Sequence, residues 1–385
     1  MCCRSVATRK HRGDPLPPLA CSLRCGELMM NVELISANRL EPHHVAAWTD
    51  VLRLQPSLDS PFFTPEFTQV VASVRKDVEV ALLYDDGRLA GFFPFQRTRM
   101  NVAVPVGAGF SEFHGVIASP DLRWSAPELL RGCGLLAWKY DHVPVSQEPF
   151  ARFHQRVGNS PFMNLTDGFG AYCAERQRSG SSVVRKTARK LRKLQRKVGQ
   201  VCFELHDGGQ RGLEKLIEWK SAQHARTGVI DVFRRGWVTD LLRRVHCHQD
   251  TAFSGVMSVL SVGGQPIAVH LGMRTGTVAH MWYPAFDTDF GEYSPGMILF
   301  LEMARELAKQ GVVRIDLGPT PQRYKQSLRS GDIAVAIGTA DRYLLAQLGR
   351  QAWQAGRRQV RASILAKPAR VPARWLYRVR QWRAL

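Results

Sequence analysis

Two stretches of the chain alternate apolar and polar residues on either side of a tight turn. Val78 to Arg97 breaks at Asp85-Asp86-Gly87, and Val256 to Arg274 breaks at Gly263-Gly264, the pattern of β-hairpins. Aligning Ala81–Thr98 with Ser258–Thr275 pairs Leu83 with Leu260, Gly87 with Gly264, Arg97 with Arg274 and Thr98 with Thr275, which points to a duplicated domain. Helical spacing of apolar residues marks Pro42 to Leu54, Val183 to Val198, Gly212 to Arg226 and Trp237 to Cys247. Near the end, a strand at Thr277–Tyr283 is followed by the turn Tyr293-Ser294-Pro295-Gly296-Met297, a helix at Ile298–Gln310 and a strand at Val312–Gly318. Strand, helix and strand joined by short turns predict a parallel pair with a crossover helix.

The fold class expected is therefore mixed α/β (α+β), with a first unit at residues 31–161, a second at 162–343 and a basic helical tail at 344–385. Residues 1–30 carry no such pattern and are read as a disordered leader or a misassigned start, with Met29-Met30 directly before the first patterned segment. Residues 1–28 lack the apolar core of about 7–15 residues that a secretion signal requires, and no run approaches the ~18 apolar residues of a membrane span. A cytoplasmic protein is expected. Of the eight cysteines, Cys2, Cys3, Cys21 and Cys25 fall in the leader, and none shows paired metal-ligand spacing, so free thiols are expected and no metal.

Charge changes the picture. Fifty-three Lys and Arg against 33 Asp and Glu leave a net +20, which favours an anionic partner. Much of the excess lies in two places. Val183 to Lys197 sets Arg185, Lys186, Arg189, Lys190, Arg192, Lys193, Arg196 and Lys197 opposite an apolar stripe. This is either a polyanion-binding face or a solvated one. After Asp341 no acidic residue occurs, while arginines alternate with Trp353, Trp375, Tyr377 and Trp382, and Pro368 and Pro372 divide the segment. That composition suits an amphipathic helix on anionic lipid, ahead of RNA binding, or else a disordered basic tail.

The Ser294-Pro295-Gly296 turn is the leading chemical candidate. A turn with free amides at a helix start suits the phosphates of a donor, here through Ser294, Gly296 and Met297, with Gly318 and Asp316 arriving beside it on the second parallel strand. The same three residues also make an ordinary helix start. An acyl-type transferase is the first hypothesis. His270, on the return strand of the second hairpin, is a base or a structural histidine. Asp287 is a base or the former of an Asx-turn. Tyr283 and Asp316 are placed to bind or orient substrate. No Gly-x-Ser-x-Gly elbow and no phosphate-loop Gly-Lys-Ser/Thr occurs, so direct transfer is favoured over a covalent enzyme intermediate.

At Tyr283, Asp287, Ser294-Pro295-Gly296, Asp316, Gly318 and Tyr324-Lys325 the chain resembles the GNAT-superfamily acetyltransferases of the cellulose-biosynthesis, CelD/BcsL-like group, which are related to the FemAB peptidyltransferases. The resemblance implies tandem GNAT folds, mixed sheets flanked by helices, and an acyl-CoA co-substrate such as acetyl-CoA. It implies an acceptor hydroxyl or amine on a sugar or exopolysaccharide precursor. The FemAB branch implies aminoacyl-tRNA as the alternative donor, and a non-catalytic membrane- or nucleic-acid-bound scaffold is a third reading. The resemblance further implies that Tyr324 protonates the departing thiolate and that Lys325 stabilises the oxyanion. The turn departs from the glycine-rich form of ordinary acetyl-CoA binders, because Pro295 has no amide hydrogen.

Overall fold

A computed structural model describes residues 30–320 and 322–362. The first half carries β1 (Asn31–Ser36), α1 (Pro42–Arg53), α2 (Pro65–Ala72), β2 (Val78–Asp85), β3 (Arg88–Arg97), β4 (Val102–Val104), β5 (Ile117–Ala118), α3 (Ala126–Gly132), β6 (Ala137–Pro144) and β7 (His154–Asn164). Two helices, α4 (Gly168–Arg178) and α5 (Val183–Lys197), lead into the second half. There follow β8 (Val201–Glu204), α6 (Arg211–Thr227), α7 (Gly236–Cys247), β9 (Ser254–Val262), β10 (Gln265–Arg274) and β11 (Val278–Phe286). The last elements are α8 (Pro295–Lys309), β12 (Arg314–Asp316), α9 (Arg323–Leu328), β13 (Gly331–Asp341) and α10 (Leu344–Ala362).

The hairpins form where their turns dictate. Asp86 and Gly87 both take positive φ between β2 and β3, as do Gly263 and Gly264 between β9 and β10, the backbone that a two-residue hairpin with right-handed strand twist requires. One mixed sheet joins all the strands, in the order β1-β2-β3-β4-β6-β13-β7-β12-β11-β10-β9-β8, with β5 on β3. Its two ends repeat each other. Each half runs from an edge strand through two helices to an antiparallel hairpin, then to a parallel pair, β4 with β6 in one and β11 with β12 in the other. The two hairpins aligned in the sequence thus occupy equivalent places. The final strands are exchanged: β7 of the first half lies against β12, and β13 of the second lies between β6 and β7. Position 161 lies inside β7, and the division at 161 and 162 remains part of our proposal.

Three apolar clusters cover the sheet. On one face Trp48, Phe62, Phe67 and Phe92 of the first half pack into the same core as Leu213, Leu241, Phe253 and Trp282 of the second. Each such buried side chain contributes about 1.5–3 kcal/mol, so the halves share a core and hold each other in place. On the other face α3 covers the first half around Phe93, Trp138 and Phe150, while α4, α5 and α8 cover the second around Leu194, Met281 and Phe300. Among the described residues no helix is long and apolar enough to cross a membrane. The leader cysteines and the tail from residue 363, including Trp375, Tyr377 and Trp382, lie outside the described residues.

Candidate active site

The site begins where the parallel pair parts. β12 pairs with β11 only from Arg314 opposite Val278 to Asp316 opposite His280. Beyond that the chain leaves the sheet through Leu317 and Gly318, while β11 continues to Phe286 without a partner on that side. The crossover helix α8 starts above this gap. Its cap, Ser294, is held in the left-handed region at φ 53, a conformation uncommon for serine. The Ser294 amide donates to Gly291 O and the Met297 amide to Ser294 O, so of the three amides expected to meet a donor only that of Gly296 is left without a partner. The basic helix α5 docks against α8 through Leu194 and Thr187 and delivers cations to the same turn. Lys190 Nζ donates to Ser294 Oγ, while Lys193 Nζ pairs with Glu292 and sits 5.2 Å from the Tyr293 ring centre.

Lys325 and Tyr324 reach the gap from α9. Lys325 is buried and its Nζ donates to Gly318 O at 3.2 Å; burial lowers its pKa from the ordinary lysine value, with the Glu112 carboxylate acting in the opposite sense. The Tyr324 ring stacks on Phe300 of α8 with centroids 5.6 Å apart, and burial, then Glu112, holds its phenol protonated well above the usual range. Tyr283 packs on Trp282 and Phe233, and its pKa is likewise raised by burial and by Glu112. Half-buried Lys220, on α6, is pushed down to about 8 by burial first and by the charge of Lys325 second.

Glu112 itself was not marked by the sequence patterns. It comes from the first half, 19% exposed, and its Oε2 lies 2.6 Å from Nε2 of buried His280. With the carboxylate ionised the bond places the proton on Nε2 and leaves Nδ1 of His280 without a partner. Gly318 closes against the same carboxylate, because a Cβ at its φ of 78 would overlap Glu112 Oε2. A glutamate between Phe110 and Phe113, and a histidine between Ala279 and Met281 in a buried strand, are the local signals that could have found the pair.

The other expected residues are engaged with neighbouring groups. His270 is fully enclosed; its Nε2 accepts the Trp282 amide at 3.2 Å, its ring meets Phe300 edge-on, and burial followed by the His280 charge lowers its pKa to about 3. Asp287 caps the short turn ahead of Tyr293 by accepting from the Asp289 amide at 3.0 Å. Buried Asp316 pairs with Arg314 at 2.9 Å, and burial raises its pKa against the lowering effect of Arg314. Glu112 and Lys325 meet at Gly318, and the Glu112 charge also acts on Tyr324 and Tyr283. Together they offer a carboxylate, a buried ammonium and two neutral phenols, a set suited to moving a proton and stabilising a developing oxyanion. Among the described residues no cluster of His, Cys, Asp and Glu is arranged to hold a metal ion.

The acetyltransferase (GNAT) domain family matches residues 181–326, the stretch from α5 through Lys325. No curated protein matches the chain. Among solved structures, the C-terminal domain of a putative lysylphosphatidylglycerol synthetase from Agrobacterium fabrum is 15% identical over 82% of this chain and 96% of that one, with a TM-score of 0.50, and shares the fold. FemX is 12% identical over 71% of this chain and 90% of its own, with a TM-score of 0.49. A tandem GNAT protein from the clavulanic acid biosynthesis pathway is 11% identical over 81% and 99%, with a TM-score of 0.46. Residues 181–326 thus carry a GNAT acetyltransferase domain, and the first half of the chain repeats the strand order of the second.

Proposed function

We propose that the chain transfers an acetyl or similar acyl group from acyl-CoA directly to an amine or hydroxyl, in a cleft to which both halves contribute. The observation that carries this reading is the meeting of Glu112, from the first half, with Lys325, from the second, at Gly318, within electrostatic reach of Tyr324. Glu112 accepts the proton of the attacking amine or hydroxyl, oriented by the Nε2–H of His280. Lys325 faces the oxyanion of the tetrahedral intermediate with hydrogens not committed to Gly318 O, and Tyr324, neutral in its buried setting, supplies a proton to the departing thiolate. This moves the base from His270, whose Nε2 is occupied, to Glu112.

The donor's phosphates meet the Gly296 amide, the Ser294 hydroxyl and the Lys190 ammonium. The amide that Pro295 lacks is compensated by a cation from a separate helix. Titration calorimetry with acetyl-CoA tests this: saturable binding is expected, and Lys190→Ala is expected to weaken it by about tenfold, as for loss of one charge-assisted contact. Absence of CoA binding together with retention of aminoacyl-tRNA would transfer the donor assignment to the FemAB-like alternative. Failure of both would favour a scaffold.

The acceptor belongs, by the CelD/BcsL-like resemblance, to sugars of exopolysaccharide or cellulose-type envelope biosynthesis, at the cytoplasmic face of the membrane. The start of the tail supports a membrane-surface contact. On α10, Leu345 is 83% and Trp353 69% exposed, with Leu344 and Leu348 also in solvent, and Arg350 anchors the helix to Asp341 at 2.8 Å. An apolar stripe on a basic helix fits an anionic bilayer. Flotation with phosphatidylglycerol-containing liposomes is expected to carry the full chain and to lose it on deletion of residues 344–385; equal flotation of both removes the membrane contact.

A further inference from the structure

We propose, on the reading of Glu112 as the base, that His114 is a positioning residue: it plugs the opening left by the first half's own parallel pair, and in doing so holds the segment that carries Glu112 against the second half.

Both halves part their parallel strands. β4 pairs with β6 only from Val102 opposite Ala137 to Ala103 opposite Trp138, after which the chain leaves at Pro105 while β6 runs on to Pro144. In the second half the corresponding gap, beyond His280 and Asp316, is the one that Lys325 reaches. In the first half residues 105–116 occupy it. His114 is 6% exposed, and its Nε2 accepts the amides of both Asp141, at 3.1 Å, and His142, at 3.0 Å, on the part of β6 beyond its last pairing with β4. Two residues on, buried Gln147 closes the Val116 backbone: its Oε1 accepts the Val116 amide and its Nε2 donates to Val116 O, each at 3.0 Å.

The same segment reaches the second half. Trp282 Nε1 donates to Phe110 O at 2.8 Å, and the Phe113 ring meets His280 edge-on with centroids 5.9 Å apart. Glu112 lies between these anchors, two residues from His114, so slack at His114 passes directly to the carboxylate. Because both amides donate to Nε2, the ring proton is on Nδ1, which is buried without a partner. Burial, with the His142 charge in the same sense, keeps the ring in the neutral form that can accept. A leucine would fill the space without that stranded donor, so packing alone does not account for a histidine here, whereas acceptance of two amides does.

The His280 Nε2–H proton, bonded to Glu112, reports the placement as a downfield proton NMR resonance, assigned by its absence from His280→Gln. His114→Leu, which fills the site without an acceptor, is expected to lose that resonance while keeping a cooperative melt, and to lower acetyl-CoA turnover, read as thiol release, by about 100-fold. His114→Gln, whose side-chain oxygen can accept both amides, is expected to retain the resonance. Absence of the resonance from the wild-type chain, its persistence in His114→Leu, or its loss from His114→Gln as fully as from His114→Leu overturns the proposal. So does a His114→Leu chain with no cooperative melt, which would make His114 a residue of the fold at large. Loss of the resonance in His114→Leu with turnover unchanged supports the positioning and instead removes Glu112 from the proton path.

Discussion

Replacing Glu112 with glutamine is expected to lower kcat by about 100- to 10,000-fold with acetyl-CoA affinity unchanged. Glutamine matches glutamate in shape, and its carbonyl oxygen still accepts from the Nε2–H of His280, so the contact against Gly318 and the fold persist. What disappears is the capacity to take a proton. The donor turn lies on α8 and does not involve Glu112, so calorimetry with acetyl-CoA separates loss of chemistry from loss of binding. His280 acts one step removed as a positioning residue: His280→Gln keeps a donor near the carboxylate and is expected to cause a smaller fall in kcat. A Glu112→Gln enzyme within tenfold of wild type would remove Glu112 from the proton path and with it the catalytic role of the first half.

The hairpins, the crossover unit and the helices from α5 to α8 were legible because each is specified locally. Turn residues with positive φ sit at Asp86-Gly87 and Gly263-Gly264, and the apolar spacing of Phe300, Met303, Ala304 and Leu307 is that of one helix face. The exchange of β7 and β13 was not legible. Gly331–Asp341 alternates β-branched Ile333, Val335, Ile337 and Thr339 with small residues, so it has strand propensity of its own, but its place between β6 and β7 is set by pairing with strands roughly 200 positions away in sequence.

The site divides in the same way. Ser294, Gly296, Tyr324 and Lys325 lie in short motifs with a recognisable order, so sequence could bring them forward. Glu112 and His280 are separated by 168 positions and meet only because the two halves share a core. His270 shows a related dependence on register. A histidine on a strand is visible in sequence, but whether its nitrogens face a cleft or the amide of a neighbouring strand depends on register, and here Trp282 occupies it.

Lys325→Met is expected to reduce kcat by about 100- to 1,000-fold without lowering the melting temperature. Methionine fills nearly the same volume beside Gly318 and removes a buried ammonium, so the oxyanion loses its cation while the packing holds. The stability side has a definite sign. Burial lowers the Lys325 pKa in the folded state, so in the unfolded chain the lysine binds its proton more tightly, and its charged form works against folding. That cost is fully present at pH below the depressed value and fades as pH rises through it toward the ordinary lysine value of about 10.4. The Met variant should therefore melt at or above the wild-type temperature at pH 7, and the difference should narrow in alkaline buffer. A variant that loses activity together with several degrees of melting temperature at pH 7 would mean that Lys325 holds the Gly318 turn in place through its bond to the carbonyl, and that the oxyanion is stabilised by another group.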